Sequence, residues 1–556
     1  MTRYLLTLMF LASAANAATC NAASTSSTDV QAAVDACTGS GDTVVVPSGS
    51  STWATTVNVS SKLGTSVTPY TIQGATTCPG AAGTPLAGPT PCTDNTVITD
   101  QGASGAALII TGFDATHFVR VTGFTWTEST AHGNGAIQIN GTAGTLGFRM
   151  DHSHLIAGNG TGRGYYPQAC CGLFDHIWAE VTATSGSHQA ISIDGTNEGN
   201  DGGWTPWGSA TVFGGSACTF VEDSYFSVAS ADAGVEDQVD AYSGACVVVR
   251  HSNFLNSTVG FHGTDSGGQR GPYLIEVYNN TLTNNSGTTL SGGTMRGGTG
   301  VWHDQTYGGS GSWNPIKLQV FRTAACEPDN SSNWGVCDGH QNWVVGSTTH
   351  SAQAGRNNSN GSGDWQSGHA YAAFATIQPT SNNAGNWNYT NTAGSCTSGG
   401  GRPSFNQTVT SSAGTPTTSD NTCTWKNAGG GAAGSAIKFC AVNRDTQCSI
   451  DATCSAITGG DTCSTYFDGG TIGSLTACRD QVGRAHNQIL TPVYAWNLSG
   501  GGVALAETCS SVLVSNTDFI NNGTTSMPGY TPYTYPNPLA AGGVVPPTNL
   551  SVFVIH

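Results

Sequence analysis

FVEDSYF at 220–226, VVVRHSNF at 247–254 and EVYNNTL at 276–282 carry one pattern at one interval. Each opens on alternating apolar residues, bends through Ser or Asn, and closes on an apolar anchor. The anchors Phe226, Phe254 and Leu282 are spaced 28 residues apart. RVTGF ending at Phe124, RMDHSHL ending at Leu155 and VLVSNTDF ending at Phe519 share the pattern. Period-2 alternation marks strands, and the Gly- and Asn-rich gaps mark turns rather than helices. A repeat of 20–50 residues with strands in each period reads as a solenoid. With strands and turns but no helices, the expected form is a parallel β-helix. The same spacing places Cys218 and Cys246, eight before successive anchors, in one column. Stacked strands lie about 4.8 Å apart, within disulfide reach. The two are expected to be bonded across the rungs.

Working outward, residues 18–325 are the expected β-helix with an N-terminal cap. Thr28-Asp29 starts a helix whose Val30, Ala33, Val34 and Cys37 share one face. GDTVVVP at 41–47 is the expected first strand, and YTIQG at 70–74 another. Residues 326–478 hold nine cysteines and no clear period, and read as a disulfide-tied insertion or lobe. The pattern returns over 479–556, where the Pro- and Tyr-rich 530–539 is expected to lie extended across the last coil.

Composition narrows the class. Of 556 residues, 9% are charged and 76 are Gly, and the net charge is −17. Low charge with ample apolar content excludes a charge-rich disordered chain. Scarce Glu, Lys and Leu exclude a coiled coil. The acidic balance argues against nucleic acid. Arg3, the apolar run Leu5–Ala12 and Ala15-Asn16-Ala17 have the order of a secretory signal peptide over 1–17. The run is too short to span a bilayer, so no membrane insertion is expected. Export makes the 18 cysteines legible as disulfides. The nearest pairs are Cys78 with Cys92, Cys326 with Cys337, Cys396 with Cys423, and Cys454 with Cys463.

These segments, with DVQAAVDAC, GFTW, RGGTG and YTYPNPL, resemble secreted right-handed parallel β-helix proteins of the pectate-lyase-like superfamily. The resemblance implies a right-handed parallel β-helix with a capping helix and a disulfide-rich insertion. It implies a polysaccharide as partner and leaves the reaction open, since that superfamily holds lyases, hydrolases, esterases and non-enzymes. Its Lys-base variant has no candidate in the regular coils, because the four Lys are Lys62, Lys317, Lys426 and Lys438. Its Asn-Thr-Asp hydrolase motif occurs at 516–518 without an Asp-Asp pair, and reads as a turn.

Candidate chemistry comes from polar residues that stack. Glu222 and Arg250 share a column, and their plain reading is a surface ion pair. Offsets from the anchors place Asp240 with Arg296, and Tyr242 with Arg270. With His262 and Glu276 they are expected to line one groove. Asp240 and Glu276 form the carboxylate pair of a glycoside hydrolase. Arg270 or Arg296 would neutralise a uronate for a lyase, with His262 or Tyr242 as base. Arg250, Tyr242, Trp204, Trp207 and Trp302 are the substrate-binding candidates, and Trp313, Trp334 and Trp343 fall near them in sequence. Calcium is the cofactor that Asp223, Asp237 or Asp240 would admit. The competing reading is a non-catalytic extracellular structural, filament or adhesion protein capable of self-assembly.

Overall fold

The computed structural model describes residues 17–319 apart from 89–91, 101–104, 115, 129–134, 158–161, 183–187, 196–211, 230–236 and 263–270. It further describes scattered segments between 342 and 513, and residues 515–540. Residues 1–16, most of the expected signal peptide 1–17, lie outside the described residues.

The chain winds as a parallel β-helix with three strands in each coil. The first sheet stacks Thr43–Val45, Tyr70–Gln73, Val119–Thr122, then 148–151, 172–175, Thr219–Glu222, Cys246–Arg250, Leu274–Tyr278 and Thr299–His303. After 326–478 it resumes with Val493–Trp496 and Phe519–Asn521. The second sheet carries the anchors, and the third runs from Val57–Ser60 through Asp237–Tyr242 and Thr258–Phe261 to Leu505–Glu507. All these pairings are parallel.

The 28-residue register holds where it was read. Phe226 pairs with Phe254, and Phe254 with Leu282. The two Phe rings stack inside the coil at 4.9 Å, worth about 0.5–1.5 kcal/mol beyond the apolar area they bury. Cys218 and Cys246 are bonded, as are Cys78 with Cys92 and Cys396 with Cys423. Cys326–Cys337 and Cys454–Cys463 rest on residues outside those described. Two anchors move. Leu155 pairs with Trp126, not Phe124, because Thr125-Trp126 carries the strand past the bend. Phe519 pairs with Val493 and so belongs to the first sheet.

The bend between the first and second sheets explains the polar half of the repeat. His152, His176, Asp223, His251, Asn279, Asp304 and Asn497 all have φ between 47° and 55°. That left-handed corner favours Asn, Asp and His among non-glycine residues. The next residue in each coil turns inward. Ser224 Oγ accepts from the Ile177 N–H (3.1 Å), Ser252 Oγ from Ser224 (3.2 Å), and Asn280 Oδ1 from Ser252 (2.9 Å). This buried ladder satisfies amides that the bend removes from the sheet, at about 1 kcal/mol per bond.

The cap is the helix Ser27–Ala36, and Ser26 Oγ accepts the Asp29 N–H. Val30, Ala33, Val34 and Cys37 are buried as the pattern requires. A strand precedes the expected first one: Thr19–Asn21 pairs with Thr43–Val45 and is tied to the helix by Cys20–Cys37. Among the described parts of 326–478 the strands are antiparallel. They close a separate core around Trp425, Tyr389 and Trp365. Among the described residues, no helix is long and apolar enough to cross a membrane.

The tail is longer in reach than expected. It runs back along the outer face of the first sheet instead of crossing the last coil. Tyr530 bonds Glu276, Tyr533 and Thr534 bond Arg250, Tyr535 bonds Asp223, Asn537 bonds Glu222, and Leu539 bonds Arg149.

Candidate functional site

The outer faces of two sheets are occupied by the chain itself. On the first, the outward column runs Asp151, Asp175, Glu222, Arg250, Tyr278, His303 and Trp496. Glu222 and Arg250 share a column as expected, yet both are fully buried. The exposed ion pair is thereby corrected, because the tail covers it. Arg250 Nε donates to Glu222 (2.8 Å). Nη1 donates to the Tyr278 hydroxyl (2.8 Å) and the Tyr533 carbonyl (2.6 Å), and Nη2 to the Thr534 carbonyl (2.9 Å). Burial pushes the Glu222 carboxyl up to about 7, although Arg250 and the Asn537 N–H oppose the shift. Arg250 holds the tail and is not presented to a substrate. Glu276 lies on the same face, taking the Gly214 N–H (2.6 Å) and the Tyr530 hydroxyl (2.7 Å). Burial raises its pKa as well.

The third sheet gathers most of the other described candidates. Asp240 pairs with Gly260, and Gly260 with Thr294. Tyr242, His262 and Arg296 each stand two residues further on, so they fall in one column on successive rungs. Arg296 is therefore in register with His262 and not with Asp240. A fixed offset fails there because the connections differ: 14 residues from Phe226 to Asp240, six from Phe254 to Gly260, twelve from Leu282 to Thr294.

Within this group His262 Nδ1 lies 2.8 Å from Asp240 Oδ1, and the His262 N–H also donates to that oxygen (3.1 Å). Asp240 is buried, while 22% of the His262 side chain is exposed. Burial works against the Asp240 charge, but the His262 charge and hydrogen bonds hold its pKa below the ordinary value. Tyr242 donates to the Tyr166 hydroxyl (2.8 Å), which donates to Asp194 (2.8 Å). The Arg163 guanidinium lies 4.6 Å from the Tyr166 ring centre and 5.4 Å from that of Tyr242. Burial, then Asp194, raises the Tyr242 pKa, so its hydroxyl stays protonated. Arg296 Nε donates to Gln319 (2.7 Å).

Asp240, Tyr242, His262 and Arg296 thus share a face, and Glu276 and Arg250 lie on another. The carboxylate pair of Asp240 and Glu276 does not assemble. Trp302 is fully buried inside the coil against Phe261, so it packs the core instead of offering a flat face to sugar. Arg270, Trp204 and Trp207 lie outside the described residues. Arg163, Tyr166 and Asp194 were missed. The register of this coil sets Gln168 opposite Asp194, so the 28-residue interval gave no signal for them.

The three calcium candidates do not converge. Asp223 sits at the bend under Tyr535, Asp237 takes the Thr258 hydroxyl, and Asp240 takes His262. His152, Asp175 and His176 bring one ligand atom each within 4.8 Å of one another. Each of their four ring nitrogens already lies within hydrogen-bond distance of a carboxylate or carbonyl oxygen.

No family model matches the chain, and no curated protein matches it. Among solved structures, an alginate lyase from Paenibacillus sp. str. FPU-7 is similar at 17% sequence identity and a TM-score of 0.29. The match covers 54% of this chain and 99% of that one. A likeness of that size has no bearing on function.

Proposed function

We propose that the protein is a secreted carbohydrate-active β-helix of the pectate-lyase-like kind that cleaves an extracellular polysaccharide on its third sheet. The observation that carries this reading is the Asp240–His262 pair beside the Tyr242–Tyr166–Asp194 chain, with arginines on both sides. An aspartate on Nδ1 orients the imidazole and leaves Nε2 as its basic nitrogen. That is the arrangement of a general base, worth about 10²–10⁴ in rate.

β-Elimination fits better than hydrolysis, because Glu276 lies under the tail and the other carboxylates of this face, Asp194 and Asp237, are held by the Tyr166 and Thr258 hydroxyls. In this reading His262 takes the C5 proton of a uronate. The C4–O4 bond breaks, a C4=C5 double bond forms, and the leaving oxygen takes a proton from water, since Tyr242 is buried and donates its hydroxyl to Tyr166. Arg163 or Arg296 neutralises the sugar carboxylate as charge develops next to it.

The test is absorbance near 235 nm during incubation with acidic polysaccharides, with and without calcium, alongside an assay for new reducing ends that includes neutral glycans. Rising absorbance that falls at least about a hundredfold in His262→Ala and Asp240→Asn is expected. Reducing ends without absorbance would mean hydrolysis instead. Silence in both channels would favour the scaffold reading, which low charge and the buried ladders also suit; assembly would then be sought by electron microscopy.

A further inference from the structure

Residues 78–88, tied by Cys78–Cys92, lie against the bend between the first and second sheets, and histidines meet them. His176 Nε2 is 3.1 Å from the Ala81 carbonyl and His152 Nε2 is 3.2 Å from the Gly80 carbonyl. Just past the loop, Asp94 takes His154 Nδ1 at 3.1 Å. Gly80 has φ +123°, and a Cβ there would overlap the His176 ring. The loop docks only because that residue has no side chain.

The other ring nitrogens also face acceptors. His176 Nδ1 is 2.9 Å from Asp175, and His152 Nδ1 is 2.7 Å from Asp151. Arg149 donates twice to Asp175, and Arg120 twice to Asp151, which keeps both carboxylates as acceptors. A neutral imidazole has one N–H and so satisfies one acceptor; an imidazolium satisfies two. The two rings stack at 4.7 Å. The stacked pair is flanked by Asp151 and Asp175, and by Asp223 in the next coil, which takes the Gly83 N–H (3.0 Å). Asp223 is itself capped by the Tyr535 hydroxyl. Glu222 is the remaining charge near Asp175, and Glu180 the one near His154 (3.7 Å from Nε2).

We propose that His176, with His152 stacked on it, forms a proton-dependent clasp that holds residues 78–88 on the β-helix and releases them as the pH rises. Release uncovers Trp178 and Tyr225, which pack beneath Cys78, Leu86 and Cys92. The direction follows from His176. Burial alone would lower its pKa, but Asp175, Asp223 and the Ala81 carbonyl raise it above 6.5. A raised histidine stabilises the docked state fully below its unfolded value, and that contribution is lost as pH passes the folded value.

The test is hydrogen exchange on the full chain at about pH 5.5 and about pH 8.5, corrected for intrinsic exchange rates. Amides 80–86 are expected to lose protection at least about tenfold on going up, while the strands at 247–249 and 275–277 keep theirs. Unchanged protection at 80–86 in the wild type would overturn the proposal. In His152→Asn/His176→Asn the pH response is expected to vanish. The same response in that variant would place the titrating group elsewhere and also overturn it. Should the double variant fail to fold, nitrogen NMR of the wild-type imidazoles decides. Both nitrogens of His176 protonated at about pH 5.5, with one lost by about pH 8.5, is required.

Discussion

Replacing Arg250 by Met keeps an unbranched stem and removes every donor. Glu222 would then retain only the Asn537 N–H, at 2.8 Å, for a carboxylate with no solvent exposure. Breaking a buried pair from one side costs about 3–5 kcal/mol, mostly the orphaned charge. The Tyr533 and Thr534 carbonyls lose their partners too, and the tail can relieve that only by lifting into water. With about 2.1 cal/mol/K of unfolding entropy per residue, roughly 500 cooperative residues give about 1 kcal/mol/K, so Tm falls by about 3–5 °C. Urea midpoints would measure the loss, and mass spectrometry of brief proteolysis would show new cuts at 530–540. Adding Glu222→Met removes the orphan, since an apolar pair of similar volume is often no worse than a buried ion pair. The double variant should recover most of the loss, and the cycle should show coupling well above the scatter of about 0.5 kcal/mol. A single-variant loss below about 1 kcal/mol, with the tail uncut, is what an exposed pair would give. That result would refute the buried strap.

The Glu222 carboxyl predicts a pH slope. Its folded value is raised to about 7 from 4.5, so its contribution is complete below 4.5 and is lost as pH rises towards 7. Urea midpoints from about pH 4.5 to 8 should show that slope, and Glu222→Gln should flatten it. Phe254→Ala removes a buried ring between Phe226 and Leu282 and should cost about 3–5 kcal/mol in the same assay. In the 326–478 region, Asp420 accepts both the Trp365 and Trp425 indole N–H groups, at 2.6 and 2.9 Å. Asp420→Ala leaves two buried donors at about 1–3 kcal/mol each; faster reduction of Cys396–Cys423 than of Cys218–Cys246 would report the local loss. Gly80→Ala should raise exchange at 80–86 at all pH values, because the added methyl meets His176.

Much of the fold was legible because its cause is local. Strands stacked at a constant interval repeat their residue types, so the 28-residue spacing yielded the Phe226–Phe254–Leu282 column, the Cys218–Cys246 bond and the Glu222–Arg250 pairing. The Ser and Asn positions, read as turns, proved to be a hydrogen-bonded ladder at the same interval. The candidate site was half legible. Asp240, Tyr242, His262 and Arg296 were named, but with Arg296 two residues out of register and with Glu276 and Arg250 added from another face.

What the sequence determined by itself is what neighbours one coil apart set where the interval stays constant, as at 218–282, since period and alternation are written in the chain. What only the tertiary structure decided is how segments far apart in the chain meet. The tail at 530–540 covers a face more than 250 residues upstream and buries charges that read as exposed. Residues 78–88 meet histidines about 70 to 95 residues away. Connections of unequal length between the second and third sheets set which polar residues share a column. None of these follows from local pattern, because each depends on the path of the chain between sheets rather than on the residues within them.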